Sequence, residues 1–220
     1  MSVKNGEVIP ASSKEAIHIK DMTGDGIPDL IISEWEGGAH CCFNVHIFSL
    51  GPDFKRIAKI EGGHSGIEFK DFNGDGIYEL VAGDWTFAYW ETVFSDSPAP
   101  EIILRYKDGR YVLATDLMKK APPSHENLEK KLIQIRNEFG GPEAAPNQNP
   151  KWSQRGGVPA ALWAYMLDLI YTGNGNLAFD FFDKAWPDWK EAKKEFLDAF
   201  KKELSQSPYW HGIRMMNGWI

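Results

Sequence analysis

The reading of this chain turns on Asp21-Met22-Thr23-Gly24-Asp25-Gly26-Ile27-Pro28-Asp29 and its echo, Asp71-Phe72-Asn73-Gly74-Asp75-Gly76-Ile77-Tyr78-Glu79. Both stretches place oxygen-bearing side chains at positions 1, 3, 5 and 9, with Gly at 4 and 6. A hard cation such as calcium takes six to eight oxygen ligands at ~2.3–2.6 Å. A chain surrounds so small a sphere only by turning sharply, which Gly permits. The residue at position 7, Ile27 or Ile77, is expected to offer its main-chain carbonyl while its side chain faces the core. Residues 17–30 and 67–80 agree at 8 of 14 positions, so the pattern is a duplication rather than a chance turn.

The spacing resembles an EF-hand at its start but not at its end. An EF-hand loop closes with a bidentate Glu at position 12, and here position 12 is Ile32 or Ala82. The flanks alternate with period 2, Ile17-His18-Ile19-Lys20 before the first loop and Ile67-Glu68-Phe69-Lys70 before the second. Such runs read as strands. The repeated unit is therefore a strand, a cation loop and a strand.

That unit is similar to the FG-GAP (VCBS-type) repeat of integrin α-subunit propellers and bacterial surface proteins. Asp21, Asp25 and Asp29 fit its pattern, as do Asp71, Asn73 and Asp75. Thr23 stands where Asp or Asn is usual, and Glu79 replaces the final Asp. The resemblance covers residues 17–110. It implies two structural Ca2+ ions, one held by Asp21, Thr23, Asp25, Ile27 and Asp29, the other by Asp71, Asn73, Asp75, Ile77 and Glu79. Thr is a neutral, weaker ligand, so the first loop is expected to be the weaker site. It also implies an extracytoplasmic setting, the periplasm or cell surface, where millimolar calcium saturates weak sites.

Strand signals recur at 17–20, 30–35, 42–50 and 55–60, then at 67–70, 79–83, 88–94, 101–106 and 110–114. Each set has about the content of a propeller blade. Two blades do not close a propeller, which needs four to eight. Open sheet edges must then be covered, or paired in a homodimer. After residue 118 the apolar period becomes helical. Ser124 is placed to cap a helix through Phe139, and a second helix follows Pro159 to Tyr171. A third runs from Leu177 to Trp186. The fourth opens at Pro187, with Trp189, Phe196, Phe200 and Leu204 inward. Residues 140–157 read as a loop. The expected fold class is α+β: two propeller-blade-like antiparallel units within 1–118 (17–62 and 67–115), then a helical bundle or cap over 119–220.

Of the net charge of −7, all the excess acid lies with the loops. Residues 1–120 carry 19 Asp and Glu against 12 Lys and Arg, and residues 121–220 carry 12 of each. That balance speaks against nucleic acid, whose phosphates call for clustered Lys and Arg. No run has the ~18 apolar residues of a membrane span, and no signal peptide is visible at the start of the chain.

Two other constellations carry chemistry. Glu34, Glu36, Asp84 and His40 follow the strands after the loops, near Trp35 and Trp85. Carboxylates flanked by aromatics suit a glycan-directed hydrolase, the alternative to a non-enzymatic module binding a protein or glycan. The bland reading makes them polar strand ends. His40, Cys41, Cys42 and His46, with His64, suit zinc or copper; against this, the adjacent cysteines read as small buried residues or a vicinal disulfide. The nine tryptophans, Trp152, Trp163, Trp186, Trp189, Trp210 and Trp219 among them, read chiefly as core.

Overall fold

The computed structural model describes residues 2–4, 7–9, 17–37, 41–139, 157–188, 190 and 192–219. It divides into two compact units, Met1–Gly83 with Ile102–Ala114, and Asp84–Glu101 with Thr115–Ile220. The class is mixed: strands fill the N-terminal half and helices the C-terminal half.

In the first unit β1 (Ser2–Lys4) and β2 (Glu7–Ile9) form a short antiparallel pair. The strands β3 (Ile17–Lys20), β4 (Asp29–Trp35), β5 (Phe43–Ser49) and β6 (Lys55–Gly63) form one four-stranded antiparallel sheet in chain order. The strands β7 (Glu68–Lys70), β8 (Glu79–Gly83), β9 (Glu101–Lys107) and β10 (Arg110–Leu113) form a second. Among the described residues neither sheet closes into a barrel or a propeller.

Alternation explains the burial. Ile31 and Ile47 pair across β4 and β5 with no exposed surface, while Ile32 and His46 pair on the other face and are only half-buried. In β9 the consecutive Ile102, Ile103 and Leu104 are all buried, the mark of a strand covered on both faces. The duplication reaches the register, since Lys20 pairs with Asp29 as Lys70 pairs with Glu79.

The second unit contains α1 (Thr115–Met118), α2 (His125–Glu138), α3 (Ala160–Tyr171), α4 (Gly175–Ala185), α5 (Lys193–Leu204) and α6 (Trp210–Met216). Ser124 caps α2 as expected, its hydroxyl accepting from Asn127 N. Two expectations differ. Residues 88–94 are turns rather than a strand, with Tyr89 and Glu91 left-handed at φ 60° and 53°. The aromatic rings here serve the helices: Phe87, just before this segment, packs on Phe200, and Trp90 within it lies edge-on to Trp163. The helix expected from Pro187 begins at Lys193, after a left-handed Ala192. Trp189 and Trp152 lie outside the described residues, as do His40 and nearly all of the 140–157 loop.

Gly175 opens α4 beneath the Trp219 ring, and its N–H donates to Asn217 Oδ1 at 2.7 Å. A Cβ there would fall inside that ring. Gly175→Ala is expected to lower the stability of the helical unit by about 1–3 kcal/mol, the usual cost of overpacking, read as a fall in the Tm of its helical CD signal.

Candidate metal centres

Both loops fold alike, because the first Asp organises each. Asp21 Oδ1 accepts from Thr23 N (3.2 Å) and Gly24 N (2.6 Å), and its Oδ2 accepts from Gly26 N (2.9 Å). Asp71 takes the same three bonds from Asn73 N, Gly74 N and Gly76 N at 3.3, 2.7 and 2.9 Å. These amides hold the Asp71 carboxyl below the usual carboxylate range, with Gly76 N–H the largest cause. Asp25 Oδ1 and Asp75 Oδ1 each accept from the amide two residues on, Ile27 N and Ile77 N, at 2.8 Å. The positive φ of Gly24, Gly26, Gly74 and Gly76 lets the amides point inward.

The loops differ at positions 3 and 9. Asp29 has no exposed surface, and its Oδ2 accepts from Met22 N at 2.9 Å. Its Oδ1 is buried without a hydrogen bond, as is Thr23 Oγ1. Burial pushes the Asp29 carboxyl above the usual range, opposed by the Met22 N–H and by the Thr23 hydroxyl, which lies close enough to Asp29 to favour its charge while falling short of hydrogen-bond geometry, and helped by Asp25 and Asp21. The hydroxyl of Tyr111, from β10, is also buried without a hydrogen bond. It is pushed well above the ordinary tyrosine range, first by burial and then by the charge of Asp29. Two oxygens of the first loop, Thr23 Oγ1 and Asp29 Oδ1, are thus buried without a hydrogen bond of good geometry. Oxygens of this kind are what a hard cation takes as ligands.

In the second loop the matching atoms are engaged. Asn73 Nδ2 donates to Asp75 Oδ2 at 2.8 Å, and Asn73 Oδ1 accepts from Asp75 N at 3.2 Å. Glu79 is buried, its Oε2 accepting from Phe72 N at 3.5 Å and its Oε1 lying 3.9 Å from Arg105 Nε. Among the described residues no three His, Cys, Asp or Glu side chains converge ready for a metal. Asp21, Asp25 and Asp29 are among the side chains that do not so converge.

The loops share a seam. Tyr78 N donates to the Asp21 carbonyl at 3.0 Å, with Asp21 bridged to Ile77 in parallel. Lys20 Nζ lies 4.0 Å over the Tyr78 ring. Ile77 packs on Gly24, whereas Ile27, expected to face the core, is exposed because it stands at the loop's outer turn.

The other sequence candidates separate. Glu34 accepts from or pairs with His46 Nε2 at 3.0 Å, which lowers the Glu34 carboxyl, and Glu36 accepts from Asn44 Nδ2 at 3.0 Å. Trp35 is exposed and stacks on Phe43. Asp84 belongs to the helical unit and is buried. Its Oδ1 accepts from Thr86 N (3.0 Å) and Thr86 Oγ1 (2.6 Å), and its Oδ2 from Tyr171 Oη (2.6 Å) and Ser207 Oγ (2.5 Å). Four donors fill the acceptor capacity of a carboxylate, so Asp84 anchors the helices and has no lone pair for a substrate. Tyr171 and Ser207 lie 87 and 123 residues away, and no sequence signal joins them to Asp84. Cys41 and Cys42 are joined to each other in a disulfide, which leaves no thiolate for zinc or copper.

Comparison with protein-family models, with curated proteins and with solved structures finds no match.

Gly24 separates loop strain from packing. Its φ is +77°, and a Cβ would meet Ile77 Cδ1 at 2.8 Å, whereas Gly26 at φ +80° has nothing within 4 Å. Both alanine variants should lose about 1–3 kcal/mol from left-handed strain, with Gly24→Ala the more damaging of the two in chemical denaturation.

Proposed function

We propose that this chain is a calcium-binding interaction module of the FG-GAP type. Its four-stranded meanders are read as blade-like units, and its ion is structural. The observation that supports this reading is the first loop's pair of buried oxygens without hydrogen bonds, Thr23 Oγ1 and Asp29 Oδ1. Asp21, Thr23, Asp25 and Asp29, with the Ile27 carbonyl, would hold the ion. Its charge would offset the carboxylates of that loop and fix the turn from β3 into β4. Lys20, the nearest lysine in sequence, is directed to the Tyr78 ring, which leaves that role to an ion.

The partner is a protein or a glycan, and a homodimer through open sheet edges remains a form the module can take. Weak sites of this type fill at extracellular calcium levels, which favours the periplasm or cell surface. Among the described residues no helix is long and apolar enough to cross a membrane.

Thermal unfolding in EDTA, calcium and magnesium tests the reading. Calcium at a hundred times its Kd should add about 2.7 kcal/mol, a rise of roughly 5–10 °C for a chain of this size; magnesium should do less. Equal melting in EDTA and calcium overturns the proposal. Asp29→Asn reverses the pattern. Without an ion it removes a buried charge and should melt at least as high as the parent in EDTA, while losing most of the calcium response.

A further inference from the structure

The two loops share a motif, but position 9 has a different neighbour in each. In the first sheet the strand beside β4 is β5, Phe-Asn-Val-His-Ile-Phe-Ser, which holds no Lys or Arg. In the second sheet the strand beside β8 is β9, and it carries Arg105. Arg105 Nε stands 3.9 Å from Glu79 Oε1, and the Glu79 side chain is more than nine-tenths buried. A guanidinium keeps its charge at every physiological pH. The carboxylate that would complete a cation site thus already faces a permanent positive charge.

Position 3 tells the same story. Asn73 spends its amide on Asp75, donating from Nδ2 and accepting at Oδ1, whereas Thr23 Oγ1 has no hydrogen bond. Lys70, which precedes the second loop, lies over the Phe72 ring at 4.6 Å, as Lys20 lies over Tyr78. Arg105 is therefore the cation that distinguishes the second loop.

We propose that Arg105 takes the place of an ion in the second loop, so that the chain binds a single hard divalent cation, in the first. This rests on the calcium reading of the first loop, and it reverses the order of strength expected from sequence. An ion entering the second loop must break the Glu79–Arg105 pair and place a second positive charge beside the guanidinium. Removing Arg105 leaves Glu79 without that counter-charge and opens the second loop to calcium.

Calcium titration calorimetry on the full chain tests this through stoichiometry. The parent is expected to bind one ion, Arg105→Gln two, and Arg105→Gln with Asp29→Asn one. Arg105→Met, which keeps the apolar stem, replaces Arg105→Gln if the latter does not fold by CD. Two ions bound by the parent, or one by a folded Arg105 variant, overturns the proposal. One ion in the parent that survives Asp29→Asn also overturns it, because that ion occupies the second loop. If the parent binds none and Arg105→Gln binds one, the first-loop reading fails while the role of Arg105 stands. If neither binds calcium, both fail.

Discussion

A carboxylate with no exposed surface and one oxygen without a hydrogen bond is costly, because burial removes water and nothing on the chain replaces it at that atom. Asp29 is such a group, and it opens β4, the strand on which the first sheet is built. Its other oxygen ties back to Met22 N. That bond draws the turn closed, so that Met22 is buried and Lys20 stands opposite Asp29 in the register. The loop thus gains its shape by placing an acid where an acid is disfavoured. Asp21 answers part of the difficulty by organising three amides, but these serve its own charge rather than that of Asp29. In the proposed calcium reading, the ion is the counterpart to what is left.

Asp84 shows the opposite solution to the same problem. It is nearly as buried as Asp29, yet four donors from three residues satisfy it. Charge-assisted bonds of this kind are strong and specify geometry. They fix the start of the Asp84–Glu101 excursion against α3 and the chain before α6. Phe87 and Trp90 then deliver their rings to the aromatic core around Trp163, Phe196 and Phe200. One carboxylate is satisfied by protein groups at both oxygens, the other by a main-chain amide at Oδ2 alone.

The strands and loops were legible in the sequence because period-2 alternation and glycine spacing are local signals, and duplication gives each one twice. Helices α2 and α3 were legible for the same reason, with Ser124 and Pro159 marking their starts. What escaped was set by distant partners. Residues 88–94 have the apolar content of a strand, but the Trp90 ring is claimed by Trp163, Phe196 and Phe200 of helices far along the chain. The short helices α1 and α6 have too few turns to show a period. Asp84 read as a rim carboxylate because nothing local distinguishes it from Glu34 or Glu36. Its role depends on Tyr171 and Ser207, which only the tertiary fold brings near.

The ranking of the two loops is the sharpest case. From sequence, Asn73 is the better ligand and Thr23 the poorer, so the second loop leads. That comparison treats each position as if it faced only the ion. In the folded chain Asn73 has a hydrogen-bonding alternative in Asp75, as Asn side chains commonly do in turns, while Thr23 Oγ1 stands beside Asp29 without a hydrogen bond of good geometry. Glu79 is one methylene longer than Asp29 and stands within ion-pair distance of a guanidinium from the neighbouring strand. The local pattern specifies which oxygens are available in kind. The strand that packs alongside decides which of them still need a partner.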